Sequence, residues 1–238
     1  MRRDLHYLQY GENEIQYEIV RRPRKTLEIA VEPDTTVVVA APPEATLEAI
    51  EAKLRKRARW ITRQQRYFSQ FLPRTPARRF ISGETHLYLG RQYRLRIVPD
   101  SQENVKLIRG FIEVRTNRAS RPDVASSLVR AWYRSRAHIK FSERIESCLG
   151  LFPNPDAFRP NSLLIRQTQK RWGSMSPNGR LLLNLKLIQA PLDAIDYVIT
   201  HELCHIAEPS HGWAFFSLIE RVMPDWRKRK SRLEISML

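Results

Sequence analysis

The reading turns on the stretch DYVITHELCHIAEPSHGW, residues 196–213. Ile195, Val198, Ile199, Leu203 and Ile206 recur at helical spacing, and Pro191 and Asp193 suit a first turn. The pattern predicts a helix over about 191–207. On a helix, positions four apart stack on one face, so His201 and His205 can aim two imidazoles at one cation. Glu202 lies roughly 100° further round. That places it beside such a cation without binding it, where a general base takes a proton from activated water.

His211 follows His205 after Glu208-Pro209-Ser210, a break that lets the chain turn back. Three protein ligands and an open fourth position describe a catalytic zinc site rather than a closed structural one. His211 is the expected third ligand, with Glu220 on the next helix as the rival. Zn2+ is the default ion for this donor set, although other transition metals suit imidazole as well. Cys204 reads as a small core residue, off the direction shared by the two histidines.

Outward from this segment the patterns alternate between strand and helix. LLIRQTQ (163–169) and LLLNLKLI (181–188) read as strands joined through the turn Pro177-Asn178-Gly179. Their hairpin, 163–188, is the candidate sheet edge. RWGS would face the cleft there, with Arg166, Arg171, Trp172 and Ser174 as candidate substrate contacts. A helix over about 211–222 stops before Pro224, and its Trp213, Phe215, Phe216 and Ile219 are expected to pack in the core. Beyond it, RKRKSRLEISML is a basic, then apolar, tail.

Upstream, strands are expected within 5–40, 85–98 and 104–116, and helices over about 45–70 and 122–149. Glu32-Pro33-Asp34 reads as a turn and LPRTPARR (72–79) as a linker. No internal repeat is visible. The division expected is a β-rich region with one basic helix over 1–120, then the metal-site domain over 121–238.

Composition narrows the class. The chain of 238 residues carries 41 Lys and Arg, 32 of them Arg, against 25 acidic residues, a formal charge of +16. At 42% hydrophobic it can form a core. No stretch approaches the roughly 18 apolar residues of a membrane span, and MRRDLHYLQYGENE lacks the apolar centre of a secretory signal. Two cysteines, Cys148 and Cys204, read as reduced thiols of a cytoplasmic protein. The segment 166–226 holds six Lys or Arg and the helix over 191–207 none, so the basic excess lies outside the metal site.

Arg166–Met223 resembles the YgjP-type metal-dependent hydrolases, relatives of the SprT-like zinc metallopeptidases. The matching pieces are RQTQKRWGSMS and LLLNLKLIQAPLDAIDYVITHELCHIAEPSHGWAFFSLIERVMPDW, with ISGETHLYLGRQYRL and AWYRSRAHIKFSERI upstream. The resemblance implies an α+β fold with a zincin-like core, an active-site helix beside a small sheet, plus long scaffold helices. It implies that His201, His205 and His211 bind zinc and that Glu202 is the base. Two functions follow. One is a zinc metallopeptidase acting on a protein or peptide substrate, nucleic-acid-associated proteins included. The alternative is a nucleic-acid-binding protein using the basic N-terminal helix and C-terminal tail, with a structural or vestigial metal. No membrane partner is expected.

Overall fold

The computed structural model describes residues 4–11, 13–32, 34–69, 78–169 and 171–237. Pro33 and most of the expected linker, residues 72–77, lie outside them. The chain forms two compact units, Met1–Pro76 together with Leu238, and Ala77–Met237.

In the first unit, strands β1 (Asp4–Tyr10), β2 (Asn13–Arg21), β3 (Glu28–Val31) and β4 (Val37–Ala41) precede helix α1 (Leu47–Ser69). Two antiparallel hairpins meet through a parallel β2–β4 pair, giving the order β1-β2-β4-β3. Alternate residues Ile15, Tyr17 and Ile19 of β2, and Val37, Val39 and Ala41 of β4, face one side. Ile50, Leu54, Ala58 and Ile61 of α1 close over them at helical spacing. The Thr46 hydroxyl accepts the Ala49 N–H and caps the helix start.

The second unit opens with the same topology. Strands β5 (Thr85–Tyr88), β6 (Arg91–Pro99), β7 (Asn104–Ile108) and β8 (Phe111–Thr116) lie in the order β5-β6-β8-β7, and helix α2 (Pro122–Leu149) follows. The chain therefore contains a repeated ββββα plan. It escapes sequence inspection because alternation fixes a strand without fixing residue identities.

This second sheet belongs with the helix that carries His201, so the division lies at 76/77 and not at 120/121. Tyr88, Leu95, Ile112 and Val114 share one core with α2 and the C-terminal elements. The β5–β6 turn, Leu89-Gly90, has the paired positive φ values, 50° and 76°, of a type I′ turn. Its two amides donate to the carbonyls of Ile188 and Gln189, just ahead of Pro191. A side chain at Gly90 would meet the Pro191 Cα at 2.8 Å.

The remaining elements are β9 (Ser162–Arg166), β10 (Gly173–Met175), β11 (Arg180–Asn184), α3 (Leu192–Cys204), α4 (Trp213–Val222) and α5 (Trp226–Ser236). Their three strands lie in the order β10-β11-β9, with β10 antiparallel and β9 parallel to β11. The segment 163–188 is thus not a simple hairpin. The chain crosses from one side of β11 to the other, and β10 alone forms the edge beside α3.

The strand expected through 188 stops at Asn184, and a 3-10 helix (Leu185–Gln189) follows. The Asn184 carboxamide accepts the Lys186 N–H and caps that helix, ending the alternation. The C-terminal tail is helix α5, anchored by buried Trp226 and Leu233. The observed class is α+β, with a helix packed beside a small sheet at its centre. Among the described residues no helix is long and apolar enough to cross a membrane.

Candidate metal centre and its cleft

Helix α3 is buried along nearly its whole length, and Ala194, Ile195, Ile199 and Leu203 are fully enclosed. Its buried carboxylate, Asp196, is held by both arms of the Arg144 guanidinium at 2.7 and 2.8 Å. These contacts fix the helix so that its last turn presents His201 and Glu202. The helix ends at Cys204, shorter than expected, yet His205 keeps helical φ and ψ, and its ring meets that of His201 edge-on. Amides of 205–208 then bond back to carbonyls of 202–204 as the chain turns.

That turn returns His211. The three imidazoles meet with ring centroids 4.7–5.1 Å apart, and one nitrogen from each lies within 4.8 Å of the others. Nε2 of His211 and of His201 face each other at 2.9 Å. Nδ1 of His205 bonds to the Glu208 carbonyl at 2.9 Å. That contact leaves Nε2 of His205 as the free lone pair and orients the ring, as an outer-shell partner does for a ligating histidine. Buried Phe215 lies under all three rings at 4.7–4.9 Å.

The surroundings of His201 and His211 disfavour their protonation. Burial, then the neighbouring His205, His211 and Lys230, push His201 down to about 3. Burial, then His205 and Lys230, also lower His211. Three imidazoles converging on a point make a donor set suited to a divalent transition ion. Among the described residues this grouping contains no carboxylate. Glu220, the rival ligand, is engaged elsewhere, accepting from the Trp226 indole at 2.7 Å and from Arg227.

Glu202 is buried beside the cluster but outside it. Burial raises its carboxyl to about 7, against the pull of the Met175 N–H and of Arg171. Edge strand β10 forms its seat: a Cβ at Gly173 would lie 2.8 Å from Glu202 Cγ.

A cleft of about 840 Å³ opens over this group. Arg171, Trp172 and Ser174 line one wall, so three of the four expected substrate contacts reach it. Arg166 does not line it, because β9 stands on the far side of β11. The opposite wall is α5, with Lys230, Leu233 and Glu234. Sequence reading placed Gly173 at the cleft within RWGS but missed its close approach to Glu202, and missed Met175 and this wall. Buried Trp226 and Leu233, seven residues apart, were the available signal.

Trp213 and Phe216 are corrections, being 85% and 41% exposed. The buried stripe of α4 is Phe215, Leu218, Ile219 and Val222, at i, i+3, i+4 and i+7. The two exposed rings lie off that stripe. Cys204 is fully buried, and burial raises its thiol to about 12.

The chain matches the family model of the YgjP-like metallopeptidase domain over residues 25–236. It belongs to the YgjP-like metallopeptidase family. Membership makes it a metal-dependent peptidase. Among solved structures, the metallopeptidase zymogen of Methanocaldococcus jannaschii, jannalysin, is 17% identical. That match covers 42% of this chain and 91% of that one, with a TM-score of 0.35. No curated protein matches the chain.

Proposed function

We propose that the chain is a zinc-dependent peptidase in which His201, His205 and His211 hold the ion and Glu202 is the general base. The observation that carries the reading is the convergence of three imidazole nitrogens within 4.8 Å, beside a buried carboxylate, in one open cleft. A zinc ion held there supplies Lewis acidity, polarising a scissile carbonyl and acidifying water. Glu202 accepts the proton of the attacking water and delivers it to the leaving amine. The Met175 N–H orients that carboxylate, and Gly173 keeps its space clear.

Edge strand β10 fits a substrate bound as an added strand. The Trp172 carbonyl and the Ser176 N–H bond to β11, so in the alternating ladder Gly173 turns its backbone groups outward. Metal analysis of wild type beside His205→Ala, with peptide hydrolysis by Glu202→Gln, tests the reading. His205→Ala should lose the metal. Glu202→Gln should keep it while hydrolysis falls by about 10²–10⁴. A fully active Glu202→Gln enzyme overturns the mechanism.

A second reading, nucleic-acid binding, is favoured by helix α1. Lys53, Arg55, Lys56, Arg57, Arg59, Arg63 and Arg66 are exposed there. Among the described residues none of them has an ion-pair partner. The C-terminal tail supports it less. Arg227, Arg229, Lys230 and Arg232 pair with Glu220, Asp225, Glu234 and Asp193. Binding through α1 should weaken steeply with salt and persist in His205→Ala. Absence of binding at low salt removes this reading.

A further inference from the structure

A second recess lies within the same unit, and none of its lining residues lines the metal cleft. Its volume is about 110 Å³. Arg78, Arg130 and Lys186 reach it from three directions: the start of the unit, helix α2 and the 3-10 helix ahead of α3. Among the described residues none of these cations has an acidic partner. Three like charges around so small a space repel one another unless an anion lies between them.

The walls are ordered by contacts that, among the described residues, set no acid against these cations. The Arg130 guanidinium lies over the Phe80 ring at 5.8 Å, and Phe80 packs on buried His86 at 5.3 Å. Tyr133 commits its hydroxyl proton to the Leu87 carbonyl at 2.6 Å, so it is a wall and not a donor. The nearby acid, Glu84, is occupied. Its oxygens accept from the amides of Arg79 and Phe80 at 2.7 and 2.8 Å and contact His86 Nε2 at 2.9 Å. Phe80 is held at φ 56°, a left-handed conformation uncommon for a bulky residue outside a turn. Such strain persists only where surrounding contacts impose it, and it concentrates at ligand sites. Gln167 and Gln189 also line it.

We propose that this recess binds one phosphate-class oxyanion. At about 30 Å³ per water it has room for roughly three or four, the space of a single phosphate group. Cations on three sides match a tetrahedral anion better than a planar carboxylate with two oxygens. Arginine forks are suited to phosphate oxygens.

Calorimetric titration of inorganic phosphate into the full-length, metal-loaded protein, at constant ionic strength in chloride, tests the site. Wild type should bind one phosphate saturably. Lys186→Met and Arg130→Met, at exposed positions, should each weaken it about tenfold or more. Their unfolding midpoints without phosphate should match wild type, showing that they fold. Arg59→Ala/Arg63→Ala on α1 should bind phosphate as wild type does, which separates the recess from the general basic surface. Absence of saturable binding, equal binding by the recess variants, or saturation by acetate without phosphate overturns the proposal. Phosphate bound at the metal instead would be indifferent to Lys186→Met and would count against it.

Discussion

Gly173 and Glu202 approach so closely that a methyl group on Gly173 would lie 2.8 Å from Glu202 Cγ and 3.0 Å from Oε1. The edge strand is therefore part of the seat of the carboxylate, and the absence of a side chain there sets where the carboxylate rests. Gly173→Ala should displace Glu202 by a few tenths of an ångström or more. Hydrolysis should fall about 10- to 100-fold, with metal content unchanged. Metal analysis alongside kcat/KM checks this, and a wild-type rate would show that the close approach has no catalytic consequence.

Glu220 is bound to Trp226 and Arg227, away from the imidazole cluster. Glu220→Gln should therefore retain the full metal complement, whereas His211→Ala should lose most of it. Zinc stoichiometry after dialysis distinguishes the two. A metal-free Glu220→Gln protein that is still folded would restore the carboxylate as third ligand.

Asp196 ties three helices together. It takes both arms of Arg144 from α2 and lies 3.7 Å from Arg229 of α5. Its side chain is only 12% exposed and that of Arg144 23%. Asp196→Ala leaves the Arg144 charge half-buried without its partner and should cost about 2–4 kcal/mol. Urea unfolding measures the loss. A change under about 0.5 kcal/mol, the range of ordinary surface substitutions, would mean that solvent replaces the pair.

His86 is buried, and that burial lowers its pKa despite the opposing pull of Glu84. The unfolded chain therefore binds a proton at this residue at higher pH than the folded one. Stability should be full above about 6.5, the ordinary histidine value, and should decline as pH falls from there toward the lower folded value. His86→Gln should flatten that part of the profile. Thermal unfolding from pH 8 to pH 5 gives the comparison, and identical slopes would assign the loss to other groups.

Much of this was legible from local pattern. The expectation of a helix over 122–149 coincides with α2, and that over about 45–70 differs from α1 by a few residues at its start and one at its end. Spacing alone brought His201, Glu202 and His205 to one helix end, since helical periodicity is a property of neighbouring residues. What local pattern did not carry was pairing. The parallel β9–β11 and β6–β8 ladders join strands separated by intervening chain. Helix α5 looked like a charged tail because its stabilising partners, Asp193 and Asp196, lie far upstream. Trp213 and Phe216 looked like core because aromatic spacing does not say which helix face meets a neighbour.

The sequence by itself determined the chemistry on offer: three imidazoles, a glutamate between two of them, and a helix to carry them. These follow from residue type and short-range periodicity, which act within a few bonds. Only the tertiary structure decided the rest. It seated Glu202 against Gly173, gave the cleft its second wall in α5, excluded Arg166, and drew three cations around one small recess. Those are contacts between segments distant in the chain, and close packing in the folded state, rather than any local propensity, selects them.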